Sequence, residues 1–129
     1  MDADGCLLSA VDGEWNMIFV TGPLFSGKKE YIRSALRMTE AEFERVAVWD
    51  VQLLAEGDLK SLADKLAEKE IVIATEIGGG VVPIDTEERT HREAAGRLAC
   101  LLAERADTVI RVCCGLPQLL NGEWPCRSC

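Results

Sequence analysis

Gly22-Pro23-Leu24-Phe25-Ser26-Gly27-Lys28 has the spacing G-x-x-x-x-G-K. Glycines at those two places let backbone N–H groups turn inward around a phosphate. A helix starting at the second glycine adds partial positive charge, and the lysine reaches the outer phosphates. Gly22, Ser26, Gly27, Lys28 and the following Lys29 are therefore candidate nucleotide-binding residues. Lys29 stands where a Ser or Thr hydroxyl ordinarily ligands Mg²⁺. Phosphoryl transfer also needs acids for the metal and for the accepting hydroxyl, and in an open parallel sheet such groups gather at the carboxyl ends of strands. Asp50 follows Val46-Ala47-Val48-Trp49, and Glu76 lies just past Ile71-Val72-Ile73-Ala74. With Lys28 they are the candidate catalytic residues, and both are candidates to hold Mg²⁺, directly or through water. Arg89 and Arg92 lie three and four places apart from one another and from Gly96, on one helical face, where two guanidinium groups can approach a phosphate. Gly78 and Gly80 shape a loop on the expected ligand side. The lone histidine, His91, reads as a solvated or hydrogen-bonded helix residue.

The elements that must carry these groups alternate. Trp15 to Val20 is a short apolar run ended by Thr21-Gly22-Pro23, which reads as a buried strand. Tyr31, Ile32, Ala35 and Leu36 then repeat as a helix from Gly27 to about Met38. Thr39 with Glu42 makes a capping box for a helical turn, and Val46 to Trp49 is a second strand. Asp58 caps a helix whose Leu59, Leu62, Ala63 and Leu66 share a face. Ile71 to Ala74 is the next strand. Ala95, Leu98, Ala99, Leu102 and Ala106 stripe the longest helix, Thr86 to Ala106, and Val109 to Cys113 is one more strand. Strands alternating with helices argue for a parallel sheet flanked by helices.

Length and composition set the bounds. At 129 residues there is room for one compact domain, with about 122–129 as a flexible tail. Hydrophobic residues make up 48% of the chain and aromatics only 5%, so Val, Ile, Leu and Ala must fill the core, as in an α/β fold. A net charge of −8 leaves little to neutralise a nucleic-acid backbone. No apolar run approaches the ~20 residues of a membrane span, and the acidic start is unlike a secretory signal, which points to the cytoplasm and to reduced cysteines. Cys126 and Cys129 have the spacing of a zinc or redox pair, but no second pair accompanies them, so they read as part of the tail. Self-association into a homo-oligomer is left open.

Several segments resemble one family in order. Ile73-Ala74-Thr75-Glu76-Ile77-Gly78-Gly79-Gly80-Val81-Val82-Pro83, Arg89-Thr90-His91-Arg92-Glu93, Gly96-Arg97, Ala106-Asp107 and Gly115-Leu116-Pro117 follow the pattern of the adenosylcobinamide kinase/adenosylcobinamide-phosphate guanylyltransferase family. The resemblance spans Ile71 to Pro117, is joined by Met17 to Tyr31, and is thin between Met38 and Glu70. It implies a P-loop α/β fold related to the RecA type and a place in cobalamin biosynthesis. Members phosphorylate the hydroxyl of adenosylcobinamide with ATP or GTP and then transfer GMP from GTP. This chain departs from the pattern at Ala74-Thr75, His91 and Glu93, and its segment after the first helix lacks the histidine that becomes guanylylated in the family. The expectation is a kinase-like member whose guanylyl transfer is in question. A nucleotide-binding module without catalysis is the alternative. A thymidine-kinase-like enzyme, suggested by a similar G-P-M-F-S-G-K-T loop, ranks last because no zinc ribbon with paired Cys-x-x-Cys is present.

Overall fold

In the computed structural model, residues 17–76 and 85–125 are described. In chain order they form β1 (Ile18–Gly22), α1 (Lys28–Ala35), α2 (Glu40–Val46), β2 (Ala47–Val48), a 3-10 helix (Val51–Leu54), α3 (Leu59–Leu66), β3 (Ile71–Thr75), α4 (Thr86–Arg105), β4 (Thr108–Cys113) and β5 (Leu116–Asn121). Among the described residues the strands make one sheet in the order β2-β3-β1-β4-β5. β1 lies at its centre, parallel to β3 with Ile18 opposite Ile71 and parallel to β4 with Ile18 opposite Thr108.

Strand residues are apolar on both sides because both faces of the sheet are covered. Phe19, Val72, Ala74 and Val109 point to the face packed by the 3-10 helix, α3 and α4, where Val51, Ala63, Leu66, Leu98 and Leu102 complete a core. Ile18, Val20, Ile71, Ile73, Ile110 and Val112 point the other way, onto Ile32 and Leu36 of the first helical segment and onto Phe43 of α2. Each fully buried Leu or Ile contributes about 1.5–3 kcal/mol by leaving water. The caps work as their residue types predict. Thr39 accepts from the Glu42 N–H and Glu42 returns a bond to the Thr39 N–H, while Asp58 accepts from the Ser61 N–H.

The structure corrects the sequence reading in places. Strand β1 starts at Ile18, and Trp15 lies outside the described residues. The first helix stops at Ala35, because Leu36 leaves helical geometry and Arg37 takes a φ of 54°. Val46 closes α2 instead of opening β2. The sheet is mixed, not purely parallel: β5 runs antiparallel to β4 through the two-residue turn Cys114-Gly115, both at positive φ, as a tight hairpin requires. Leu116-Pro117 disguised this strand. Proline is tolerated because β5 is an edge paired with β4 alone. Of the tail, residues 122–125 are described, and Thr108 Oγ1 donates to the Glu123 carbonyl at 3.2 Å; Cys126 and Cys129 lie outside.

Candidate functional site

The central strand delivers the chain to the G-x-x-x-x-G-K loop at the sheet's carboxyl edge. A Cβ on Gly22 would sit 2.1 Å from the Val112 carbonyl oxygen, so only glycine lets β1 lie this close to β4. Gly27 caps α1 with a φ of 87° and no side-chain bond, which leaves the first amides of the helix facing the loop. Lys28 folds into the loop, only 8% exposed, and its Nζ donates to the Pro23 carbonyl at 2.8 Å and to Ser26 Oγ at 3.4 Å. Burial pulls the Lys28 ammonium below its ordinary pKa, and the nearby charges of Asp50, Glu76 and Glu30 oppose that shift. The hairpin turn braces the loop from the far side, where Gly115 N–H donates to the Ser26 carbonyl at 2.8 Å. A cleft of about 280 Å³ opens here, with Ser26, Gly27, Lys28, Lys29, Trp49 and Asp50 in its lining.

Glu76 follows β3 and is tied to the loop by its own backbone, its N–H donating to the Gly22 carbonyl at 2.8 Å. Its carboxylate is gripped in a fork: Arg111 Nε donates to Oε2 at 2.6 Å and Arg111 Nη2 to Oε1 at 2.9 Å. Because β1 lies between β3 and β4, this pair bridges the central strand. The Arg111 hydrogen bonds hold the Glu76 carboxyl below the usual carboxylate range, and burial partly opposes them. Gln52, buried in the 3-10 helix, accepts from the Thr75 N–H at 2.9 Å and so fixes the residue before Glu76. Asp50 is exposed, with a left-handed φ of 58°.

Lys29 places its ammonium 4.4 Å above the Trp49 ring, and Trp49 stacks on Phe43 with centroids 5.6 Å apart. A contact of this kind at an exposed site is worth about 0.5–1 kcal/mol. The donors here do not fit a Mg²⁺ coordinated by the loop. The hydroxyl after Lys28 is replaced by an ammonium, and each Glu76 oxygen already accepts from Arg111, whose positive charge also opposes a cation there, which leaves Asp50 from the expected pair.

The structure thus gathers Gly22, Ser26, Gly27, Lys28, Lys29, Asp50 and Glu76 at one end of the sheet. Among the described residues Arg89 and Arg92 do not line the P-loop cleft, and nothing lies within 4 Å of a Cβ built on Gly96. Gly78 and Gly80 lie outside the described residues. His91 lines a different, larger cleft of about 470 Å³ between the 3-10 segment and α4, with Leu53, Leu59 and Arg97. Sequence reasoning missed Arg111, Gln52 and Trp49. The signal for Arg111 was there: it is the one charge inside Val109-Ile110-Arg111-Val112-Cys113.

No curated protein matches the chain. A family model described as cobinamide kinase / cobinamide phosphate guanyltransferase matches residues 37–120, well over half of it. The match takes in the stretch from Met38 to Glu70, where the motif resemblance was thinnest, and begins after the P-loop, whose reading rests on its own spacing and geometry. With the P-loop α/β fold, the match is decisive: the chain belongs to the cobinamide kinase / cobinamide phosphate guanyltransferase family, which acts in cobalamin biosynthesis on nucleoside triphosphate and cobinamide substrates.

Proposed function

We propose that this chain is an adenosylcobinamide kinase, moving the γ-phosphoryl group of ATP or GTP onto the corrinoid hydroxyl. The observation that carries the reading is the bond from Glu76 N–H to the Gly22 carbonyl, which fixes an acid beside the loop that buries Lys28. In the reaction the hydroxyl oxygen bonds to the γ-phosphorus, the bond from that phosphorus to the β–γ bridging oxygen breaks, the nucleoside diphosphate leaves, and the hydroxyl proton is released to water. Amides of Ser26 to Lys28 and the Lys28 ammonium hold the phosphates, and Gly22 keeps the strand end narrow. Glu76 orients the hydroxyl. Held low by Arg111, its carboxylate is a weak proton acceptor, so its contribution is position and charge. Asp50 lines the cleft with Lys28 and Lys29. Gly78, Gly80, Arg89 and Arg92 stay candidates for binding the nucleotide.

The test is incubation with adenosylcobinamide and ATP or GTP, with and without Mg²⁺, read by mass spectrometry for one added phosphate. Absence of that product in every mixture, alongside measurable nucleotide binding, supports the second reading, a nucleotide-binding module without turnover. Lys29 at the hydroxyl position favours that second reading.

A further inference from the structure

P-loop proteins ordinarily hold the triphosphate with one lysine and one Mg²⁺, the metal being taken by the hydroxyl that follows the lysine. Here that following residue is Lys29, in the first turn of α1, lining the same cleft as Ser26, Gly27 and Lys28. We propose that the chain binds nucleoside triphosphate as a metal-free polyanion, with the Lys29 ammonium as the second phosphate-neutralising cation, and with Trp49 as the cradle that holds this ammonium in waiting. The inference deepens the P-loop reading given above and rests on it.

Three observations converge. An ammonium in the hydroxyl's place does more than remove a ligand, because with Lys28 beside it a divalent cation would enter against two like charges. The acid best placed to compensate, Glu76, has both oxygens in the Arg111 fork. Finally, the Lys29 ammonium has a fixed resting place of the right strength. The Trp49 ring attracts it at 4.4 Å without neutralising it, and the Phe43 stack behind the indole keeps that ring in position. A cation–π contact at an exposed site is weaker than a charge-assisted bond to phosphate, so the arriving triphosphate draws the ammonium off the ring. The acids of this cleft, Asp50 and Glu30, remain as counter-charges to the two lysines when the site has no anion.

The experiment is calorimetric titration of a non-hydrolysable ATP or GTP analogue into the full chain, once in EDTA and once in Mg²⁺. The wild type is expected to bind with affinities that agree within about threefold, and Lys29→Arg to do the same. Lys29→Thr, which restores the hydroxyl, is expected to lose about tenfold or more in EDTA and to recover in Mg²⁺. A second readout follows the cradle itself. With Trp15 and Trp124 replaced by Phe, the remaining Trp49 emission should change when the analogue binds in EDTA, and should not change in Lys29→Thr. Wild-type binding that tightens about tenfold or more on adding Mg²⁺ overturns the inference and leaves the P-loop reading standing. So does a Lys29→Thr variant that binds as tightly as wild type in EDTA. No binding in either medium overturns both.

Discussion

Lys28 is held by bonds that a phosphate can replace. Its ammonium rests on the Pro23 carbonyl and Ser26 Oγ, both parts of the loop that would surround the ligand. Lys28→Ala should therefore weaken nucleotide binding by about a hundredfold, a loss on the scale of one or two charge-assisted bonds, as titration calorimetry would read it. Unchanged affinity would remove the loop from the site. Glu76 separates two roles. Glu76→Gln should lower kcat far more than nucleotide affinity, because the proposed role of Glu76, orienting the acceptor hydroxyl, acts on the transition state and not on nucleotide binding. It should also expose the ion pair in stability. The folded-state pKa of Glu76 is depressed, so its stabilisation is fully present above the ordinary value of 4.5 and fades as pH falls through the folded-state value. Denaturant unfolding of wild type and Glu76→Gln should differ at neutral pH and converge in acid; a difference that persists in acid would assign the stability to something other than this pair. The places of Asp50 and Glu76 just past strands were legible because each follows an apolar run. Arg111 and Gln52 were harder to see, since what makes them matter is a partner two strands away and a backbone N–H in another element.

At the scale of elements, period and capping chemistry carried most of the reading. The capping box at Thr39, the Asp58 cap and the α4 stripe are local patterns, and each formed where its residues predict. What escaped depended on the neighbours. The hairpin strand β5 has no apolar alternation strong enough to stand out, and its proline is allowed only by its place at the sheet edge. The break after Ala35 is a left-handed backbone at Arg37, a residue type that gives no warning of it. Gly22 shows the reverse case, a residue chosen for the motif that also sets the spacing of two strands. Gly22→Ala pushes a methyl group into the Val112 carbonyl, and neither backbone can move without breaking the sheet. Thermal unfolding should show a loss of about 3 kcal/mol; a variant as stable as wild type would mean that β1 and β4 can part at no cost.

Across the whole molecule, the sheet separates two clefts. Lys28, Lys29 and Asp50 line one, while His91 lines the other with Leu53 and Arg97. A covalent histidine must come within bonding reach of the α-phosphorus of GTP bound over the P-loop. His91, the chain's single histidine, is not in the lining of that cleft. The chain should therefore form no guanylylated intermediate. The check is incubation with α-labelled GTP followed by neutral or alkaline denaturing electrophoresis, which preserves an acid-labile phosphoramidate. A stoichiometric label that disappears in His91→Ala would overturn this. The division into an α1 face and an α4 face could be read from the sequence as alternating strands and helices, but the mixed sheet could not.

The bond from Gly115 N–H to the Ser26 carbonyl joins the earliest described turn to nearly the latest. On the ribosome, β1 and the loop emerge long before the Cys114-Gly115 turn exists to hold them. The phosphate cradle is thus finished last although it is translated first. A nascent chain that stops short of Gly115 carries every residue of the loop motif and still has no brace beneath it.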